Sequence, residues 1–365
     1  MITILESKSA PRILAPLSLW FDKNKRSLPW RSENLKVEHA DPYIVLVSEF
    51  MLQQTQINTV IPYFERWMKR FPTLKKLASV SPEIAMKHWE GLGYYRRCRN
   101  LQKSCQQIQQ HGWPRNRDEM KLLPGIGSYT SAAIGSIAFQ WPTPAIDGNV
   151  IRLLSRLHAK NFENQKELMI VEAWLEPALR KHGPSRLTQA LMDFGSLICK
   201  KNNPFCMQCP LKKHCKAYNS DQISSFPKTK SKPSPKETHQ GLLIIFNQDL
   251  ILIQKPKIGG LLDSVYTFPS VRLSGKERIG ISYLHRYTHI KEYTYPLAIH
   301  VKNKSIRSPY LWVNRKELSR LPLGNRDKLM LKRIKSLKPI KKLPKNIQIL
   351  INKDIFKDCY QFPTD

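Results

Sequence analysis

Acidic side chains are scarce in this chain. Only 28 Asp and Glu stand against 60 Lys and Arg, a formal net charge of +32. The basic excess is spread along the sequence instead of being confined to one tail, and points to a polyanionic partner, since each phosphate neutralised releases condensed counterions. Long apolar runs are also missing. No stretch approaches the roughly 18 consecutive apolar residues that a spanning helix needs, so no membrane contact is expected. The segment Met1–Ala15 has no basic region ahead of an apolar core, and no secretory leader is expected. Evenly scattered cysteines are absent as well. Of seven, four crowd between Cys199 and Cys215, while Cys98, Cys105 and Cys359 stand apart. An odd count with one tight cluster argues against a disulfide framework and for a metal site in a reducing, cytoplasmic compartment. No internal repeat is visible.

What is present divides into a helical part and a strand-rich part. Residues 1–218 read as mostly helical. The clearest helix opens at Asp41-Pro42, a capping residue followed by proline at the first helical position, and continues to Leu52. Further helical periods fall at Tyr63–Arg70, Glu83–Glu90, Cys98–His111, Tyr129–Phe139, Val150–His158 and Arg186–Ile198. Residues 219–239 are polar, basic and proline-rich, the composition of a connector. Residues 240–338 carry strand signals: Leu242–Phe246 and Leu250–Gln254 flanking a hairpin turn, with further strands near Tyr266, Tyr293–Val301 and Tyr310–Val313. A helix is expected over Gly324–Leu337. The basic, proline-punctuated tail 339–365 has no assigned structure.

The cysteines are spaced Cys199-x6-Cys206-x2-Cys209-x5-Cys215. One loop supplying all four thiolates suits a cubic 4Fe–4S cluster. A structural zinc ion, the alternative, more often uses two separated Cys-x2-Cys knuckles. The spacing resembles the cluster loop of the endonuclease III and MutY glycosylases. Lys200, Lys201, Lys212 and Lys213 would give the loop a phosphate-facing side, and His214 reads as a solvated loop residue.

Leu123-Pro124-Gly125-Ile126-Gly127 joins two helical patterns. Gly125 and Gly127 permit a tight turn and leave backbone N–H groups bare at a helix N-terminus, an anion site. The segment, about residues 121–139, resembles a helix-hairpin-helix. Two carboxylates stand out nearby in the pattern. Glu49 has Val45, Leu46 and Leu52 as helical neighbours. Burial there raises a carboxyl pKa and makes a general acid; a buried Glu paired to an arginine is the alternative. Asp147 precedes a helix. It reads as an N-cap, a place where backbone N–H groups hold a carboxylate ionised, and capping is compatible with catalysis. One carboxyl pushed up and one down is the usual division of acid and base labour.

Leu28-Pro29-Trp30-Arg31, Ser48-Glu49-Phe50-Met51-Leu52-Gln53-Gln54-Thr55-Gln56, Gly91-Leu92-Gly93-Tyr94-Tyr95, the glycine turn and Asp147-Gly148-Asn149-Val150 occur in one order ahead of the cysteine loop. Together they resemble the MutY-type adenine DNA glycosylases over about residues 14–218. The resemblance implies a mostly α-helical helix-hairpin-helix glycosylase fold with an iron–sulfur loop, followed by a smaller α+β Nudix-like domain. It implies that Glu49 protonates the adenine and assists the water, that Asp147 stabilises or transiently attacks the sugar, and that Asn149 positions Asp147. Gln54 and Tyr94 match the residues that wedge between base steps when adenine is flipped out. Trp30, Arg31, Leu52, Ile57 and Gln189 match the adenine pocket, although Leu52 and Ile57 also suit ordinary core packing, as do Tyr94 and Tyr95. Tyr129 stands where bifunctional relatives carry the Schiff-base lysine, so a monofunctional enzyme is implied.

Beyond the connector, Leu261–Pro269 resembles the strand after the first hairpin of the MutY Nudix-like module. His285-Arg286-Tyr287-Thr288-His289 resembles its Phe-Ser-His loop, with Tyr287, Thr288 and His289 placed to probe an oxidised guanine. The Nudix box of glutamates is absent, the stretch between Ser270 and Tyr283 is short, and Ser32–Ala40 is longer than usual. The implied partner is duplex DNA with adenine opposite 8-oxoguanine or guanine, bound by a monomer; no motif for a sliding clamp is visible. An endonuclease III-like glycosylase/lyase for oxidised pyrimidines is the nearest alternative, opposed by Tyr129 and the additional C-terminal domain. A non-catalytic DNA-binding scaffold is opposed by Glu49 together with Asp147, and a nucleotide hydrolase by the missing box.

Overall fold

The structure is a computed structural model. It describes residues 9–31, 40–228, 234–256, 265–273, 281–287, 289–302, 305–334, 343 and 345–356. The extended segment after Arg31, most of the stretch between Ser270 and Tyr283, the start of Leu261–Pro269, Thr288 and Cys359 lie outside these residues. By internal contacts the chain forms two compact units, Met1–Ser79 with Asn100–Lys230, and Val80–Arg99 with Ser231–Asp365. The division therefore does not follow a single cut at the connector, because residues 80–99 belong with the sheet.

The first unit is helical. It contains α1 (Ala10–Asn24), α2 (Pro42–Leu52), α3 (Ile57–Arg70) and α4 (Leu74–Ser79). Helix α5 (Pro82–Trp89) belongs to the second unit, and α6 (Arg96–His111) follows it. The first unit then continues with α7 (Arg117–Lys121), α8 (Ser128–Phe139), α9 (Gly148–His158), α10 (Gln165–His182), α11 (Pro184–Leu197) and the short α12 (Lys216–Asn219). Helix α2 starts as its sequence dictates, with the Asp41 side chain accepting from the Tyr43 N–H at 2.8 Å and Pro42 in the first turn. Helix α10, the longest, was not anticipated. Charged residues break its apolar stripe, yet Val171, Trp174, Leu175, Ala178 and Leu179 are buried against α1, α9 and α11.

The second unit is built on a sheet: β1 (Lys236–Asn247), β2 (Leu250–Gln254), β3 (Ser270–Arg272), β4 (Tyr283–Arg286), β5 (Ile290–His300) and β6 (Tyr310–Asn314). The strand order is β4-β5-β1-β2-β6, with β3 also pairing with β1. Strands β1 and β5 run parallel and the other pairs antiparallel. The expected hairpin at Asn247–Asp249 is present, turned by Gln248 at φ 51°. Two expectations are corrected. Lys236–His239, read as connector, are the first residues of β1 and pair with Ile290–Tyr293. The strand expected near Tyr266 reduces to isolated bridges, Gln254 to Thr267 and Tyr266 to Leu323.

Both faces of the sheet are covered. Leu242, Ile244 and Phe246 alternate along β1 with Leu243 and Ile245. The first set packs with α13 (Asn325–Arg333) through Met330; the second packs with Leu343, Ile347, Ile351, Ile355 and Phe356. Those residues come from the tail that had no assigned structure. It forms α14 (Lys345–Leu350) and a π-helical turn at Ile351–Ile355. A basic tail thus supplies one wall of a core through isoleucines spaced four apart. Ile351→Ala should cost about 2–5 kcal/mol, whereas the exposed Ile349→Ala should stay within about 0.5 kcal/mol. Urea unfolding of the two variants beside the parent checks this; equal effects would mean that the tail is not part of the core.

Candidate active site

Glu49 lies on the apolar helix α2, which packs against α8, and is 7% exposed. Its carboxyl is pushed up to about 7, first by burial and then by the nearby Asp147 carboxylate, while the hydrogen bond from Tyr129 acts in the opposite direction. No arginine is paired with it among the described residues, so the alternative of a buried Glu–Arg pair does not hold. Tyr129, in the first turn of α8, is held well above the usual phenol range by burial and by the charges of Glu49 and Asp147, so it is a hydrogen-bond donor. Its hydroxyl also lies 4.0 Å from the Met192 sulfur on α11.

Asp147 is the N-cap of α9. One carboxylate oxygen accepts from the N–H groups of Asn149 and Val150, at 2.9 and 2.8 Å; the other accepts from Asn149 Nδ2 at 2.8 Å. Three donors fix the group while leaving acceptor capacity on Oδ2. Asn149 is fixed in its turn. Gly195 of α11 packs so closely that a Cβ there would fall 2.8 Å from Asn149 Cβ. The structure therefore brings Glu49, Tyr129, Asp147 and Asn149 together.

Two arginines absent from the sequence reading connect this corner to the cysteine loop. Arg152 Nη2 donates to Asn149 Oδ1 at 2.9 Å and to the Gly195 carbonyl at 2.6 Å, and its Nε donates to the Cys199 carbonyl at 2.8 Å. Arg156, 3% exposed, donates to the carbonyls of Lys200, Lys201 and Phe226 and lies 3.5 Å from the Cys199 sulfur. Asn149, Arg152 and Arg156 recur at helical spacing along α9. That spacing was the available signal; a basic residue reads as solvated unless its carbonyl partners are known.

Cys199, Cys206, Cys209 and Cys215 all line one solvent-open pocket, with Leu153, Leu157 and Leu211. Burial pushes the Cys209 thiol up to about 12, against the hydrogen bond from the Leu211 backbone. Among the described residues no three Cys, His, Asp or Glu side chains converge on a single metal ion. Four thiols lining one pocket beside a buried guanidinium are a donor set that fits a thiolate-held cluster. The Arg156 guanidinium beside Cys199 is the kind of donor that a thiolate-bound cluster recruits.

The glycine turn contains one true conformational requirement. Gly125 has φ 79°, and a Cβ there would collide with Asn100 and Phe50. Gly127, the α8 N-cap, has ordinary extended dihedrals and open space around it, so its use lies in leaving the helix N-terminus bare. Gln54 and Tyr94, the expected wedges, are exposed and both have positive φ, 58° and 49°. Of the expected adenine-pocket residues, Arg31 is committed to Asp193 of α11 by contacts of 2.6 and 2.9 Å, and Arg26 binds the same carboxylate. Trp30 packs edge-on against Phe64. Gln189, one turn before Asp193, donates to Ser185 Oγ at 3.1 Å. Leu52 and Ile57 are half-buried at the end of α2 and the start of α3.

In the second unit, the expected probing segment leaves β4 after its first two residues. His285 and Arg286 belong to β4, and Tyr287 and His289 stand at the tight turn into β5, where the Tyr287 N–H donates to the Ile290 carbonyl at 2.8 Å. His289 is exposed.

Comparison with known proteins fits this geometry. Residues 47–177 match the HhH-GPD superfamily of base excision DNA repair proteins. An adenine DNA glycosylase of Buchnera aphidicola subsp. Baizongia pistaciae is 32% identical over 312 residues, covering 80% of this chain and 87% of that protein. The mouse adenine DNA glycosylase is 34% identical over 317 residues, covering 71% of this chain; the chain spans 60% of that relative's length. A thermostable thymine-DNA glycosylase structure shares the fold at TM-score 0.52 and 23% identity, covering 58% of this chain and 98% of that one. The chain belongs to the adenine DNA glycosylase family of the HhH-GPD superfamily.

Proposed function

We propose that this protein flips adenine out of duplex DNA where it faces 8-oxoguanine or guanine, and hydrolyses its N-glycosidic bond to leave an abasic site. The observation that carries the reading is the pair of unlike carboxyl groups, Glu49 held near neutrality beside the triply hydrogen-bonded Asp147. As the bond between sugar and base breaks, its electron pair leaves with the adenine and the Glu49 carboxyl supplies the proton. The Asp147 carboxylate faces the positive charge that develops on the sugar. Water then adds to the sugar carbon and returns its proton to Glu49. Tyr129 has no amine to form a Schiff base, which favours base removal without strand cleavage. Gln54 and Tyr94 would fill the space left by the flipped base, and the bare α8 N-terminus would hold a phosphate.

Residues 240–338, within the second unit, read as a Nudix-like lesion-recognition domain in which Tyr287, Thr288 and His289 contact the oxidised guanine. The four cysteines would hold a 4Fe–4S cluster whose chemistry is to bind the loop together through four thiolate–iron bonds. Protein purified without oxygen should contain iron and not zinc by elemental analysis; stoichiometric zinc without iron would refute the assignment.

Glu49→Gln should lower adenine release by about 10²–10⁴-fold and change duplex binding little, measured by single-turnover excision and by gel shift. Near-parental turnover would end the acid assignment. In the parent, excision should fall as pH rises above about 7, because the acid form is lost. The stability effect has its own sign. The folded-state pKa lies above the ordinary 4.5, so the folded protein binds more protons between about pH 4.5 and 7 and loses stability as pH rises through that window. Glu49→Gln should therefore exceed the parent in stability at pH 8, by up to about 3 kcal/mol, with the gain vanishing below pH 4.5. Denaturant midpoints across that range measure it.

A further inference from the structure

Within the sheet unit, the loop carrying Tyr94 and the hairpin carrying Tyr287 and His289 are tied to the same short stretch, Leu323–Asp327, at the start of α13. On one side stands Glu90, whose side chain is 5% exposed although no catalytic or DNA-contacting role falls to it. One of its oxygens accepts from the Leu323 N–H at 2.9 Å; the other is paired with Lys87 at 2.8 Å and Lys328 at 3.0 Å. Asn325 Nδ2 reaches the Gly91 carbonyl at 3.5 Å, and its Oδ1 lies 3.4 Å from the Tyr95 hydroxyl. Gly91–Tyr95, with φ values of 101°, 75° and 49° at Gly91, Gly93 and Tyr94, is thereby held at both ends against Leu323–Asn325.

On the other side, Arg326 is 4% exposed and donates to Glu292 at 3.4 Å. Glu292 lies on β5 directly opposite His285 of β4, and it also accepts from Thr294 Oγ1 at 3.3 Å. Arg326 is bracketed as well by Asp327, fully buried and accepting from the Phe268 N–H at 2.7 Å. A buried arginine between two buried carboxylates cannot shift without stranding charge, so the β4–β5 hairpin is fixed to α13 as firmly as the core.

We infer that Glu90 is a positioning residue that locks the Tyr94 loop, through the start of α13, to the hairpin that reads the base opposite adenine. The inference rests on the reading of this protein as an adenine glycosylase. Wedge and probe then move as one body, and the lesion contact made by the hairpin sets the depth of the wedge. Glu90 touches no substrate and acts only through the loop it holds.

The test compares Glu90→Ala with Glu90→Gln. The glutamine keeps a carbonyl acceptor for the Leu323 N–H; alanine keeps nothing. Single-turnover excision is measured on duplexes with adenine opposite 8-oxoguanine and opposite guanine, alongside hydrogen exchange of the DNA-free proteins. Glu90→Ala should lower the preference for the oxidised duplex about tenfold, within the range expected for one misplaced base contact. The loss should fall on that duplex, and Glu90→Gln should restore most of it. Amides of Gly91–Tyr95 should exchange faster in the alanine variant and not in the glutamine variant. Equal losses on the two duplexes, or unchanged exchange at Gly91–Tyr95, would overturn the inference. A parent that releases no adenine from either duplex would instead sink the glycosylase reading, and the exchange measurement would still decide whether Glu90 holds the loop.

Discussion

Asp147 takes three hydrogen bonds from the first turn of one helix, and the polar architecture of the helical unit depends on that cap. A carboxylate this close to a second carboxyl group pays for its charge only if it is well solvated by the protein. Two backbone N–H groups and one side-chain amide provide that, while burial pushes the neighbouring Glu49 carboxyl up to about 7. The same helix then extends the polar ridge outward. Asn149 orients Asp147, Arg152 orients Asn149, and Arg152 and Arg156 end on carbonyls of the cysteine loop. A loop of four cysteines has little regular structure of its own. Whatever stiffens it also stiffens the end of the arginine ladder, and through that the position of a carboxylate several residues away.

The parts of this arrangement visible in the sequence were those in which one residue type has one physical use. Asp41-Pro42 opens a helix, the four clustered cysteines come to line one pocket, and the glutamate among Val45, Leu46 and Leu52 is buried. The invisible parts were those in which a residue has several uses and tertiary partners choose among them. Arg152 and Arg156 have no place in the sequence reading because most of their acceptors are main-chain carbonyls, which leave no trace in composition. Glu90 read as the last residue of an amphipathic helix. The tail read as shapeless because Lys and Pro outnumber the isoleucines that matter, yet Ile347, Ile351 and Ile355 fall four apart and lie fully inside. Helix α10 was missed for a similar reason, as charged residues interrupt the stripe formed by Val171, Trp174, Leu175 and Ala178.

The scarcity of acidic residues acquires a structural meaning at this point. Several of the few carboxylates are placed inside, where most of them hold arginines. Asp193, fully buried, binds Arg26 and Arg31; Glu292 and Asp327 enclose Arg326; Glu90 holds a backbone N–H between two lysines; Glu49 is buried beside the Asp147 cap. Each carboxylate so used is one that the surface lacks. The buried carboxylates are nearly offset by the buried Arg97, Arg156 and Arg326, so the formal excess of +32 is left to the solvent-facing side of the chain. Such a distribution separates two uses of charge. Surface Lys and Arg supply attraction that is indifferent to sequence. Buried ion pairs, screened little by salt, fix Arg31 against α11 and Arg326 against β5.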